Sequence, residues 1–221
     1  MPLVLGTYTV ISPDPQNDAK CQDIKCFLLH DISTDPHRFF KENATLYFSP
    51  GVHIGDNVNG QHLVVSDLAG ITLLGDHLDQ SIIHCTGNFG LAFVNVTNLQ
   101  LWNLKFENCG TNMSYWIISV SKFDPDSTFR ATIFMMDVLN VDIWAIVIFY
   151  SDNSVGIVGV NVVGVVSLGY SRIEGNALNL FLLANDTAEH LVYTYIRIEN
   201  CDFWGSIQMD YTFNFNSKIW H

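Results

Sequence analysis

From about residue 45 onward, short apolar runs alternate with Asn, Gly, Asp and Ser. HLVVSDLAGITLLG (62–75), SIIHC (81–85), GLAFVNVTNLQLWNLKFENCG (90–110) and ATIFMMDVLNVDIWAIVIFYS (131–151) come first. VGIVGVNVVGVVSLGYSRIEGN (155–176) and LVYTYIRIENCDFWG (191–205) follow. None keeps the 3.6-residue spacing of an amphipathic helix, and β-branched and aromatic residues dominate. The pattern predicts a succession of short β-strands.

The runs also repeat. LKFENC (104–109), SRIEGN (171–176) and IRIENC (196–201) share one pattern, with IVIFYS (146–151) filling the same place one step earlier. A second set, FVNVTNLQL (93–101), MMDVLNVDI (135–143) and GVNVVGVVS (159–167), precedes it. A period in the twenties with several strands per repeat is the mark of a solenoid. The expected fold is therefore all-β, a parallel β-helix, with residues 1–44 as an N-terminal cap and 45–221 as its coils in one domain. The cap segment holds four prolines, two cysteines and the helical-looking stretch CQDIKCFLLHDIS (21–33). Residues 111–130 interrupt the period and read as an inserted loop.

Alternation along the strands places Leu104, Phe106, Ser171, Ile173, Ile196 and Ile198 inward. Lys105, Glu107, Arg172, Glu174, Arg197 and Glu199 then face outward. Asn95, Asp137 and Asn161 fall at equivalent turns, where stacked side chains can hydrogen-bond along the coil.

The succession Cys26 to Leu29, NATLYFSPGVHI (43–54), VVSDLAGITLLG (64–75), IIHC (82–85) and GLAFVNVTNLQLWNLKFENCG (90–110) resembles a family of extracellular right-handed β-helix domains. These occur in large, mostly uncharacterised surface proteins of sponges and other simple animals. At fold level the resemblance is to the pectin-lyase-like superfamily, over about residues 21–205. It implies a secreted or cell-surface location, and says more about fold than about activity.

Composition narrows the function classes. Charged residues are 14% and hydrophobic residues 48%, which excludes intrinsic disorder. The formal net charge of −12 argues against nucleic acid or an anionic membrane surface as partner. Residues 1–15 carry no positive n-region and do not read as a signal peptide, a departure from the secreted resemblance that suggests a fragment, a trimmed chain or an incomplete gene. The uncharged stretch 153–171 approaches the length of a membrane span, but its four glycines and alternating valines suit a pleated sheet.

Candidate chemistry is sparse. Polysaccharide hydrolysis needs two carboxylates about a sugar, one kept protonated. Glu174 and Glu199 would stack one coil apart, yet Arg172 and Arg197 flank them, and a nearby guanidinium lowers a carboxylate pKa. A ladder of surface ion pairs is the simpler reading of these four residues. The Asn-Thr-Asp, Gly-His-Gly and Arg-x-Lys motifs expected of polygalacturonases are missing, and so is a Gly-x-Ser-x-Gly elbow. No metal ligand set stands out. A weak Ca²⁺ site at Asp152, Glu174 and Asp202 is the one cofactor the acidic excess suggests. His53 and His84 read as structural.

Trp102 and Trp144 occupy corresponding repeat positions. They form either an outer aromatic track for a polysaccharide or cell-surface glycan, or wedges in the core. Cys85 and Cys109 lie 24 residues apart, about one coil, and are the expected disulfide; Cys21 and Cys26 can bridge locally. Cys201 shares the repeat position of Cys109 but lies coils away. Of four sequons, Asn43, Asn112 and Asn185 are candidate glycosylation sites, whereas Asn95 is expected to face inward. The favoured function is a non-catalytic extracellular recognition or adhesion module, with a polysaccharide lyase or hydrolase and a structural spacer as alternatives.

Overall fold

A computed structural model describes residues 6–56, 63–86, 89–112, 130–149, 154–174, 178–184, 194–204 and 207–211. The protein is mostly β, with parallel strands in two sheets of thirteen and six strands. The larger sheet has two lines of pairing. One runs through residues 63–66 and 91–94, then Arg130–Met136, Ser154–Val160, Leu178–Ala184 and Ile207–Tyr211. The other runs through Tyr8–Ile11, Thr45–Phe48, residues 69–74 and 97–102, Leu139–Trp144, Val163–Gly169 and Tyr195–Glu199. The smaller sheet stacks Gly51–Asp56, Ser81–Thr86, Leu104–Glu107, Val147–Phe149, Arg172–Glu174 and Asp202–Trp204. Each line follows chain order, so a strand within a line pairs with the strands that precede and follow it there, while Thr111–Asn112 pairs antiparallel with residues 130–131.

Alternation decides what each strand buries. Ile71, Leu99, Val141, Val166 and Ile196 align across successive strands, as do Leu63, Leu91, Ile133, Ile157 and Leu180. In the smaller sheet the column is His53, Ile83, Phe106, Ile148, Ile173 and Phe203. All but the partly buried Phe203 are buried, in one core apart from His53. Columns of aliphatic side chains at ~4.8 Å spacing pack tightly along the stack. These columns account for much of the chain's apolar composition. The stretch 153–171 contributes the strands Ser154–Val160 and Val163–Gly169. No helix of the described residues is long and apolar enough to cross a membrane.

The corners rest on left-handed residues. Asp67, Asn95, Asp137 and Asn161 have φ of 58°, 52°, 55° and 53°. The Asn95 amide donates to Asp67 at 2.8 Å and that of Asn161 to Asp137 at 2.9 Å. This is the expected stacked turn, extended by Asp67, but Asn95 is exposed rather than inward-facing. Three residues on, Asn43, Gly70, Asn98, Asn140 and Gly164 form a second left-handed series. Asn140 donates to Asn98 at 3.0 Å there. Asn and Gly tolerate this conformation best, which explains their recurrence between apolar runs.

Residues 6–44 extend the larger sheet. Tyr8–Ile11 pairs with Thr45–Phe48, and the two-residue strand Cys26–Phe27 pairs beside it. The helices Leu29–Thr34 and Pro36–Phe39 bury Leu29, Ile32 and Phe39 in the common core. Residues 91–94 pair directly with 133–136, so the stack passes over 111–130, of which 113–129 lie outside the described residues.

Two disulfides close short loops: Cys21–Cys26, with Cα atoms 5.5 Å apart, and Cys85–Cys109, at 4.9 Å. The latter is the pairing expected from spacing, and both of its cysteines are buried.

Candidate binding groove

The strands Leu91–Trp102 and Leu139–Trp144 end in tryptophans that are direct register partners. Alternation turns both outward, because the inward Leu101 and Ile143 precede them. Trp102 and Trp144 are thus half-buried on an outer face and do not wedge the core. They line an open groove of about 630 Å³ with Gln100, Asp142, Ser167 and Arg197. Those four polar residues are themselves successive partners, a row that begins at Thr72, whose hydroxyl donates to Gln100 at 3.0 Å.

Each indole is held by a different device. The Trp102 Nε1–H donates to Asp142 at 3.1 Å. Trp144 leans over the next strand, where Gly169 is its register partner; a Cβ on Gly169 would lie 2.4 Å from the ring. The Tyr170 ring flanks it with centroids 4.7 Å apart. Two oriented aromatic surfaces beside a row of amide, hydroxyl and charged groups can take a ligand with one apolar face and a polar rim.

The carboxylates expected to stack do not. Glu174 lies in the smaller sheet opposite Phe149 and Trp204, whereas Glu199 lies in the larger sheet opposite Gly169. The partner of Arg172 is Asp202, a step of 202 − 172 = 30 residues, and that of Arg197 is Ser167. The ion pairs run within each strand: Arg172 to Glu174 at 2.8 Å and Arg197 to Glu199 at 2.6 Å. Cys201 is displaced in the same way, since it precedes the strand Asp202–Trp204 while Cys109 follows Leu104–Glu107. It is a free thiol, and burial pushes its pKa up.

A second groove of about 370 Å³ lies around the corner, on the smaller sheet. One wall is the turn 76–80. Six residues, 75–80, join Leu74 to Ser81 here, where Asn103 alone joins their partners Trp102 and Leu104. Lys105, Val147, Phe149 and Arg172 form the other wall. Lys105 and Arg172 lie 5.1 and 5.6 Å from the Phe149 ring centroid. Lys105 also holds Glu107 at 2.7 Å, and this bond keeps the Glu107 carboxyl below its usual range.

The remaining candidates separate. His53 is fully buried; its Nε2–H donates to the Ser49 carbonyl at 2.7 Å, and burial pushes its pKa down. His84 faces outward beside Glu107 at 3.5 Å. Asn43 is exposed at a left-handed turn, Asn112 stands in the short strand Thr111–Asn112, and Asn185 lies outside the described residues. Of the acidic trio considered for Ca²⁺, Asp152 also lies outside them, and no cluster of three metal-ligating side chains occurs among the described residues. The sequence pattern did not single out Gln100, Asp142 or Ser167, although each stands two residues before Trp102, Trp144 or Gly169. No family model matches the chain, and neither the curated proteins nor the solved structures compared with it include a match.

Proposed function

We propose that the chain is an extracellular recognition or adhesion module, a right-handed parallel β-helix whose outer groove binds carbohydrate. The observation that carries this is the pairing of Trp102 and Trp144 on adjacent strands of an outward face, beside the polar row from Thr72 to Arg197. Three lines of parallel pairing in chain order support the β-helix, with residues 1–44 as its cap. Two disulfides support an oxidising compartment.

A glycan array followed by calorimetric titration tests the binding. Trp102→Ala and Trp144→Ala are each expected to weaken a positive ligand by about tenfold or more, the loss of ~1.4 kcal/mol of ring contact. If no glycan binds, the chain is better understood as a structural spacer. If the bound polysaccharide is cleaved and Glu174→Gln or Glu199→Gln abolishes cleavage, it is a lyase or hydrolase.

A further inference from the structure

The groove also carries information about the class of its ligand, an inference that rests on the carbohydrate reading above. Among the described residues its lining contains one carboxylate and one guanidinium, and both are engaged. Asp142 accepts from the Trp102 indole, and Arg197 donates through Nε and Nη2 to Glu199 at 3.0 and 2.6 Å. In a chain of net charge −12, this groove balances its charges and offers amide and hydroxyl groups from Gln100 and Ser167 beside them. Glu199 already offsets the Arg197 charge, so an anionic saccharide gains less there than it would from an unpaired cation.

The shape of the floor adds a second constraint. Along the outward row Leu74, Trp102, Trp144, Gly169 and Glu199, only Gly169 lacks a side chain. The benzo edge of Trp144 fills that space: the atoms nearest a Cβ built on Gly169 are Cζ3 at 2.4 Å, Cε3 at 2.5 Å and Cη2 at 3.2 Å. An aromatic ring over a neighbouring glycine also stabilises a sheet. Here, however, the ring stays half-exposed and lines the groove, with the Tyr170 ring packed against it. A ring lying along the sheet presents its face to the ligand, whereas one pushed upright presents an edge.

We infer that Gly169 is a specificity-determining residue: by leaving its position bare it lays Trp144 along the sheet, and the groove takes neutral, β-linked gluco-configured saccharides. In such sugars every ring substituent is equatorial, so both ring faces are flat arrays of C–H groups suited to an indole face. The ring hydroxyls lie at the edge, within reach of the Gln100 and Ser167 row. Gly169 has an ordinary φ, so alanine suits its backbone and acts through the displaced ring.

The experiment titrates wild type and Gly169→Ala with cellohexaose and with an α-1,4-linked oligogalacturonate of equal length. It also follows the indole N–H resonances, with that of Trp144 identified from Trp144→Phe. The expected result is wild-type selectivity for cellohexaose and about tenfold weaker binding in Gly169→Ala. The Trp144 resonance shifts while that of Trp102 holds. Preference of wild type for the uronate, or unchanged cellohexaose affinity in a variant whose Trp144 resonance has moved, overturns the inference and leaves carbohydrate binding standing. Failure of wild type to bind any glycan overturns both. If Gly169→Ala does not fold, the wild-type selectivity alone decides.

Discussion

Asp76 sits where the N-terminal segment meets the larger sheet. Its carboxylate accepts from the Tyr47 hydroxyl and from the backbone N–H groups of Leu78 and Asp79, at 2.9 and 3.2 Å. Lys20 reaches it at 3.2 Å while donating to the Tyr47 oxygen and lying 4.2 Å from that ring's centroid. The Tyr47 bond, more than any other contact, holds the Asp76 carboxyl far below the usual carboxylate range. The stabilisation is therefore fully present above the unfolded-state pKa of ~3.9 and is lost as pH falls toward the depressed folded value. Asp76→Asn is expected to lower the melting temperature at pH 7. It should also flatten the fall in stability below pH ~4, as thermal melts across pH would show.

The column Asn103, Ala145, Tyr170 and Asn200 is left-handed throughout, with φ of 51° to 55°. Asn suits that conformation, whereas alanine and tyrosine are held there at a cost of ~1–2 kcal/mol each. Ala145→Asn is expected to raise stability by ~0.5–1 kcal/mol in denaturant titration, since Asn103 already occupies the equivalent place. Tyr170 is strained where its ring packs against Trp144, beside the candidate groove.

At the scale of strands and corners, the alternation of apolar and polar residues predicted inward and outward positions well. Leu104, Phe106, Ile173 and Ile196 are all buried, and their Lys, Arg and Glu neighbours face out. The same alternation misplaced IRIENC, because a period of two is identical on every face of the stack. Its resemblance to LKFENC and SRIEGN is local, while its register partner, residues 165–169, belongs to the other sheet. The Cys85–Cys109 spacing was safer because both ends sit beside directly paired strands, His84 opposite Glu107. This bridge ties adjacent strands within the core. Its removal by Cys85→Ser with Cys109→Ser should cost ~3 kcal/mol, read from the shift in urea midpoint. In the folded wild type, neither thiol should alkylate before reduction.

Over the whole molecule, each strand gains stability from the strand before and the strand after it, so the two ends differ from the middle. Among the described residues, 97–102 and Leu139–Trp144 have partners on both sides, whereas Ile207–Tyr211 pairs on one side. Hydrogen exchange is expected to be slowest in the central pair and faster in Ile207–Tyr211. Uniform protection along the stack would mean that the chain unfolds as one unit.

Much is legible in the sequence, because strand alternation, left-handed turn chemistry and near-period cysteine spacing depend on residues close in sequence. These features yielded the parallel β character, the buried columns, the Asn95, Asp137 and Asn161 turns, Cys85–Cys109 as the expected disulfide and Cys21–Cys26 as a local bridge. The outward placement of Trp102 and Trp144 and the separation of Glu174 from Glu199 required the tertiary structure. Which face a strand joins depends on the lengths of the corners between strands. The resulting step varies: in the smaller sheet it is 23 residues between Ile82 and Lys105, 25 between Val147 and Arg172, 30 between Arg172 and Asp202 and 42 between Lys105 and Val147. Only hydrogen-bonded register between segments far apart in sequence resolves that count, and it converts two tryptophans 42 residues apart into neighbours on one wall.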